Sequence, residues 1–403
     1  MYLLYLLGIR LYGAALWLAS FFNPKAKSWI VGRRDFWSRL PETKGREVYW
    51  FHCASLGEFD QGLPLMNLLK AENPDLFLLV TFFSPSGYEH YHKRKHAADF
   101  VCYLPLDTRS NARRFLQHFQ PAKVFFIKYE FWVNYIAAAQ QSGASIYSVS
   151  ALFREDHRFF KWYGGIFRKT LRRIDHFFVQ NERSMQLLQQ IGITQATLCG
   201  DTRFDRVIEN KRNVQEDAVI TAFLGGRKAF VLGSSWPEDE ELLEKLVLEN
   251  CSAMPVIIAP HDISEAHLKS IEKRFAPHLV RYSDWGQRTG HFSILLIDSI
   301  GKLANAYSYG QLAYVGGGFS GSLHNILEPA VFGLPVIFGP KHKRFPEGEL
   351  FIEAGVGFSV ATPEELADSW KYIRAHEAEL KQKTAGLVAA STGATRKILD
   401  YLK

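Results

Sequence analysis

Cysteine is scarce in this chain and widely scattered: Cys53, Cys102, Cys199 and Cys251 are the only four in 403 residues. No C-x-x-C pair occurs, so neither a disulfide framework nor a zinc knuckle is indicated, and free thiols in a reducing cytoplasm fit better. Other signatures are missing too. The sequence has no D-x-D to hold a metal diphosphate, no G-x-S-x-G nucleophile elbow and no P-loop. It has no low-complexity tract and no short-period repeat. Charge of one sign is not in large excess, with 48 Lys+Arg against 41 Asp+Glu for a net of +7. That balance permits an acidic partner without requiring one. With no nucleic-acid module in view, an anionic membrane surface or substrate is the better expectation.

Apolar side chains are plentiful. They make up 47% of the chain, aromatics 14%, and Phe alone contributes 31 residues. That is the composition of a well-packed globular protein, long enough for two domains with separate cores. The first 22 residues stand apart, because Arg10 is their only charge, and Lys25, Lys27, Arg33 and Arg34 follow. No charged region precedes the apolar run, which argues against a cleaved signal peptide. One reading is a spanning helix whose trailing cations keep the body in the cytoplasm. Another is a helix lying in the interface, with Arg10 snorkelling and the basic stretch on anionic headgroups. A buried core helix is the third, and it leaves the basic run unexplained.

Beyond residue 34, strand and helix patterns alternate. Val48-Tyr49-Trp50-Phe51-His52-Cys53 reads as a buried strand, and a helical pattern begins at Phe59, with Leu63, Met66 and Leu69 on one face. Glu58 therefore falls at a strand's carboxyl end and a helix's amino end, where open α/β sheets bind ligands. Unpaired N–H groups and the helix dipole there favour an ionised carboxylate, suited to a general base or to a simple helix cap. Further strands are expected at 77–81, 101–104, 123–128, 145–150 and 176–180, with a polar helix from Tyr88. A second series follows at 229–233, 255–259, 293–297, 312–315 and 335–338, and the tail from Pro363 is helical. This is βαβ alternation, hence mostly parallel sheets. The expected division is a membrane-associating segment at 1–34, a Rossmann-like domain at 35–210 and a second at 211–403, facing one another across a cleft.

Strand-end loops of the second half carry the polar chemistry. The segment Gly316-Gly317-Gly318-Phe319-Ser320-Gly321-Ser322-Leu323-His324-Asn325-Ile326-Leu327-Glu328-Pro329 runs from a strand through glycines into a helix start. Its glycines and N–H groups suit a phosphate, and Glu328 suits ribose hydroxyls; a glycine turn without a ligand is the alternative. Ser234 and Ser235 offer hydroxyls to a phosphate before an acidic helix start at Glu238–Glu241, itself read as a dipole-stabilised terminus. Pro260-His261 and Ile300-Gly301-Lys302 follow other strands. Lys128-Tyr129-Glu130 in the first half supplies a second carboxylate. His90, His92 and His96 have metal-like spacing but lie among Lys93, Arg94 and Lys95, as on a solvated basic face. No metal or other cofactor is expected.

Ala54-Ser55-Leu56-Gly57-Glu58, Glu130-Phe131-Trp132, Gly200-Asp201-Thr202-Arg203-Phe204-Asp205 and His324-Asn325-Ile326-Leu327-Glu328-Pro329 occur in this order behind the apolar N-terminus. In combination they resemble the 3-deoxy-D-manno-octulosonic acid (Kdo) transferases of lipopolysaccharide synthesis, over nearly the whole chain. The resemblance implies a GT-B glycosyltransferase fold and metal-independent, inverting transfer of Kdo from CMP-Kdo to the lipid A precursor, at the cytoplasmic face of the inner membrane. It implies Glu58 as general base, Glu130 as a carboxylate stabilising the transition state, and Arg203 in the place of a family lysine. For CMP it implies Ser234, Ser235, Pro260, His261, Ile300, Gly301, Lys302, Gly317, Asn325, Ile326, Leu327 and Glu328. His261 replaces a family arginine and Lys302 a glutamate, both departures at the nucleotide. A UDP-sugar enzyme of the same fold, such as a UDP-GlcNAc 2-epimerase, is the alternative, and a non-catalytic lipid-binding protein a third.

Overall fold

The strand Val48–Cys53 (β1) is buried along its whole length, and its alternate side chains serve two different cores. Val48 and Trp50 join Phe115, Phe119, Tyr135 and Ile136 on one face of the sheet. Tyr49, Phe51 and Cys53 join Phe59, Leu63 and Met66 on the other. A strand covered on both faces is what a parallel sheet requires, and it explains the unbroken apolar run.

The computed structural model describes all 403 residues. They divide into two units, Met1–Arg206 with Thr392–Lys403, and Val207–Ser391. In the first, β1 is followed by β2 (Phe77–Phe82), β3 (Phe100–Tyr103), β4 (Lys123–Ile127), β5 (Ser145–Ala151), β6 (His176–Val179) and β7 (Ala196–Leu198). Their order is β3-β2-β1-β4-β5-β6-β7, and every neighbouring pair is parallel. In the second lie β8 (Ala229–Ser235), β9 (Val256–Pro260), β10 (Leu279–Arg281), β11 (Ile294–Leu296), β12 (Gly310–Val315), β13 (Val336–Phe338) and β14 (Gly357–Ser359). They run β10-β11-β9-β8-β12-β13-β14, again all parallel. Strand order reverses between β1 and β4 in one sheet and between β8 and β12 in the other. Loops at the carboxyl ends of those strands are the natural ligand sites of such sheets.

The two series of strands read from the sequence are present. β7, β10 and β14 were not foreseen: three residues long and at sheet edges, they are too short to show a period of two. Near Tyr88 the expected polar helix is replaced by one helical turn, Pro85–Tyr88, and a 3-10 turn, Tyr91–Lys93. There His96 packs edge-on against Phe59, so it does not lie on a solvated face.

The N-terminal helix, Tyr2–Ala19, is long and apolar enough to cross a membrane. One side of it is fastened to the first unit. Tyr2 donates its hydroxyl to Asn134 Oδ1 (2.5 Å) and Tyr5 donates to Asp107 Oδ2 (2.6 Å). Tyr12 stacks on Phe83, and Gly13 leaves room for Leu106, whose Cδ1 would lie 2.5 Å from an added Cβ. Leu3, Leu4, Leu7, Leu11, Trp17 and Leu18 remain exposed. Arg33 corrects the reading of the basic run that follows. Its guanidinium is turned into the body, over Trp29 and Tyr103, and donates to the carbonyls of Leu104, Trp29 and Phe83. It is not free for a headgroup.

The chain returns to its first unit at the end. Ile398 and Leu399 of the helix Ala394–Leu402 complete the core beneath Phe51. The start of that helix is capped from a distance. Asp205 accepts from the N–H of Gly393 (2.6 Å), the N–H of Thr395 (2.7 Å) and the Thr395 hydroxyl (2.6 Å). Replacing Asp205 by Ala strands two helix-start N–H groups and should lower stability by about 2 kcal/mol. Hydrogen exchange should then rise first in residues 394–402. Unchanged exchange there would mean the apolar contacts alone hold this helix.

Candidate active site

In the first unit the site forms where the order of strands reverses. β1 ends at Cys53, and the chain turns directly into the helix Leu56–Glu72. Glu58 is the third residue of that helix and closes a capping box with Ser55. Its Oε2 accepts from the N–H of Ala54 and, at 3.1 Å, of Ser55. The cap and the candidate base are thus one residue. The helix start does favour the ionised form, as expected, but it acts against burial, since the side chain is only 7% exposed. Burial, reinforced by the negative charge of Glu130, pushes its pKa up to about 7, against the lowering pull of Lys128 and the two N–H groups. Desolvation outweighs the helix start.

Glu130 follows β4, the strand beside β1. Burial raises its pKa as well, opposed by Arg158. Its loop is held from below. Trp132 Nε1 donates to His52 Nε2 (2.9 Å), leaving the proton of His52 on Nδ1, which donates to Thr81 Oγ1 (2.9 Å). Trp50 Nε1 donates to the same hydroxyl (2.8 Å). Full burial drives the pKa of His52 down to about 3, so this chain of bonds stays neutral and fixed at working pH.

Arg203, the third candidate, lies past β7. Asp201 Oδ2 accepts from its Nε (2.8 Å) and terminal nitrogen (2.7 Å). Asp201 Oδ1 accepts from Gln61 Nε2 (3.1 Å), and its pKa stays low because the guanidinium and these hydrogen bonds overcome its burial. Gln61 lies one turn beyond Glu58 on the same helix. That i, i+3 spacing is the signal in the sequence that points to Gln61. The Asp201 anchor, like Asp205, sits inside a motif whose internal roles only the fold reveals.

In the second unit, the ends of β8 and β9 and the loop after β12 converge. The rings of Trp236 and His261 stack at 4.6 Å, and His261 and His324 lie 4.5 Å apart. Trp236 Nε1 donates to His324 Nε2 (3.2 Å). Burial, with His261 beside it, lowers the pKa of His324 to about 4. Ser234 occupies a left-handed conformation, φ 52°. The glycines after β12 are needed for close passage: a Cβ on Gly316 would lie 2.2 Å from the Ser234 carbonyl oxygen, and one on Gly318 2.5 Å from the Gly339 nitrogen. Asn325 donates to Glu328 Oε1 (3.3 Å) and accepts from the Leu327 N–H.

Several expectations for this half need correction. Ser235 offers no hydroxyl to a phosphate, because it is fully buried and donates to Glu240 Oε1 (2.9 Å). The glycine loop leads into a single turn, Leu327–Ala330, not an extended helix. Ile326 and Leu327 are core residues with fully buried side chains, so only their backbone can face a ligand. Pro260 is the last residue of β9 and is likewise buried. Ile300 is exposed, and Gly301 turns the chain with φ 92°. Lys302 is engaged elsewhere, donating to Tyr282 OH (2.8 Å) and Asp217 Oδ2 (3.2 Å) at the start of the helix Ala218–Leu224.

The acidic run is more than a dipole effect. Asp239 and Glu240 are buried. Asp239 accepts from Tyr314 OH (2.7 Å), the Gly317 N–H (3.1 Å) and the Trp236 N–H (3.0 Å), tying the glycine loop to the Trp236 loop. Glu240 accepts from Ser235 and lies 3.0 Å from His267 Nε2.

Residues 31–206 match the family described as 3-deoxy-D-manno-octulosonic-acid transferase (kdotransferase). The 3-deoxy-D-manno-octulosonic acid transferase of Aquifex aeolicus is 26% identical over 353 residues, 85% of this chain and 90% of its own. That of Chlamydophila psittaci is 29% identical over 320 residues, 76% of this chain and 72% of its own. Among solved structures, UDP-N-acetylglucosamine 2-epimerase from Rickettsia bellii superposes with a TM-score of 0.55 at 15% identity, covering 89% of this chain and 96% of that one. MurG from Acinetobacter baumannii does so with 0.55 at 12%, covering 88% and 98%. These structures share the fold alone, a GT-B fold of two Rossmann-like units. The sequence relatives decide between the transferase and the epimerase: over most of its length the chain is similar to 3-deoxy-D-manno-octulosonic acid transferases, and residues 31–206 match that family's model.

Proposed function

We propose that the protein moves Kdo from CMP-Kdo to the lipid A precursor, with inversion and without a metal, at the cytoplasmic face of the inner membrane. The observation that carries the mechanism is Glu58, a buried carboxyl with a pKa of about 7 in the unit that matches the transferase family. A general base works best when its pKa lies near the operating pH. Glu58 takes the proton of the acceptor hydroxyl as that oxygen attacks the anomeric carbon. CMP leaves as a monophosphate, with less charge to neutralise than a nucleoside diphosphate carries, so hydroxyls, N–H groups and basic side chains suffice. Glu130 and Arg203 stabilise the reacting centre. His261, Ser234, Gly317, Asn325 and Glu328 hold the nucleotide.

The N-terminal helix supports the location. Its contacts from Tyr2 to Gly13 keep about 16 Å of helix along the body. The helix therefore lies in the plane of the membrane surface, its exposed leucines toward the acyl chains.

Glu58→Gln should retain CMP binding and lose transfer by about 100-fold or more. Retention of more than about a tenth of the wild-type rate would exclude the base role. The base must be ionised, so kcat/KM should fall as pH drops through about 7. Removing the neighbouring charge with Glu130→Gln should move that acid limb to lower pH; a limb that moves upward or stays fixed contradicts the coupling. For the donor, His261→Ala should weaken CMP binding measured by calorimetry. Lys302→Ala should instead lower the melting temperature with little effect on CMP affinity, because its partners are Asp217 and Tyr282.

A further inference from the structure

Away from the strand ends, the first unit has a cavity of about 430 Å³ between the helices Arg109–Phe119, Val133–Gln141 and Gly165–Leu171. Arg109, Arg113, Lys169 and Arg173 line it, and no carboxylate does. The sequence hides this cluster, because the four cations come from two separate segments, Arg109 and Arg113 on one helix and Lys169 and Arg173 at and just past the end of another. Like charges so placed repel one another. None of the four is ion-paired. The buried carboxylate of this region, Asp107, is committed to the N–H groups of Asn134 and Tyr135 and to Tyr5 OH. The cavity is thus a concentration of positive charge with no internal counter-charge.

Its other lining is apolar, from Val133, Ala137 and Ile166. A second cavity of about 410 Å³ adjoins it, sharing Arg113, Ala138 and Gln141 and adding Leu116. At the edge of the first cavity stands the first turn of the N-terminal helix. Tyr2 OH accepts from Arg109 Nε (2.7 Å), and the guanidinium lies 4.6 Å from the centre of the Tyr2 ring. The neighbouring Leu3, Leu4 and Leu7 are exposed. An anion in this pocket therefore sits beside an unpartnered apolar helix face. A molecule that satisfies both is an amphiphile with a phosphate head and acyl chains.

We propose that this pocket binds the phosphate group of a lipid, with the chains passing onto the outer side of the N-terminal helix. The bound phosphate relieves the repulsion among the four cations, and Arg109 is held ready by Tyr2. Two lipids carry that chemistry, an anionic bilayer phospholipid and a phosphorylated acceptor. The inference goes beyond the transfer reaction and does not depend on Glu58, so binding can fail while transfer stands, or the reverse.

The test is vesicle co-sedimentation of the full chain with phosphatidylcholine alone, with added phosphatidylglycerol, or with added phosphorylated lipid A precursor. The wild type should prefer one or both kinds of anionic vesicle, whose phosphates are not neutralised by choline. Arg113→Glu with Lys169→Glu should lose about tenfold or more of that preference, while binding to phosphatidylcholine through the apolar helix persists. Loss confined to phosphatidylglycerol identifies the bilayer lipid, and loss confined to the precursor identifies the acceptor. Arg113→Gln with Lys169→Gln should show a smaller loss in the same direction, which guards against misfolding of the charge-reversed protein. Lys228→Glu with Lys371→Glu makes the same change in net charge on the second unit and should bind as wild type. An equal loss in that control, unchanged binding by the pocket variants, or no wild-type preference would overturn the proposal.

Discussion

The pairing of β1 with β4 is the constraint on which the first unit's chemistry depends. Four consecutive residues of each strand are in parallel register, from Tyr49 opposite Lys123 to His52 opposite Phe126. Their carboxyl ends therefore lie side by side, and the chain leaves them in separate loops. Glu58 and Glu130 can be neighbours while lying 72 residues apart because of this register alone. The same strand supplies His52, whose neutral imidazole links Trp132, and hence the Glu130 loop, to Thr81 on β2. One row of the sheet thus places both carboxylates and fixes the height of one.

Buried acids in this molecule divide according to their partners. Asp201 has a guanidinium and several donors, and its proton is held weakly. Asp239 has three donors but no cation, and burial raises its pKa. Glu58 has two N–H donors on one oxygen and a like charge nearby, which leaves its proton balanced near neutrality. The first two hold loops in place. In Glu58 the same desolvation leaves a group able to gain and lose a proton under working conditions.

Much of the fold was legible because the parallel strands are buried on both faces and read as unbroken apolar runs. The edge strands β7, β10 and β14 were not, having three residues each and neighbours on one side only. The loops after strands were legible as places, which brought Glu58, Glu130, His261 and the glycines of 316–318 into view. Their internal bonding was not. Whether Ser235 faces a ligand or Glu240, and whether Lys302 faces a nucleotide or Asp217, is settled by side-chain directions that no local pattern encodes. Asp239 and Glu240 were legible only as part of a dipole-stabilised helix start, because an acidic run there looks the same whether two of its four members turn inward or none does. The basic pocket escaped for the opposite reason: its cations are never adjacent in sequence.

The helix Ala394–Leu402 follows the entire second unit in the chain, yet packs under the first sheet. During synthesis, the surface that Ile398 and Leu399 cover must wait until all of Val207–Ser391 has been made. The first unit, although its sheet is encoded within the first 206 residues, cannot finish folding in the order in which it is translated. Its core closes only after the whole second unit has been synthesised.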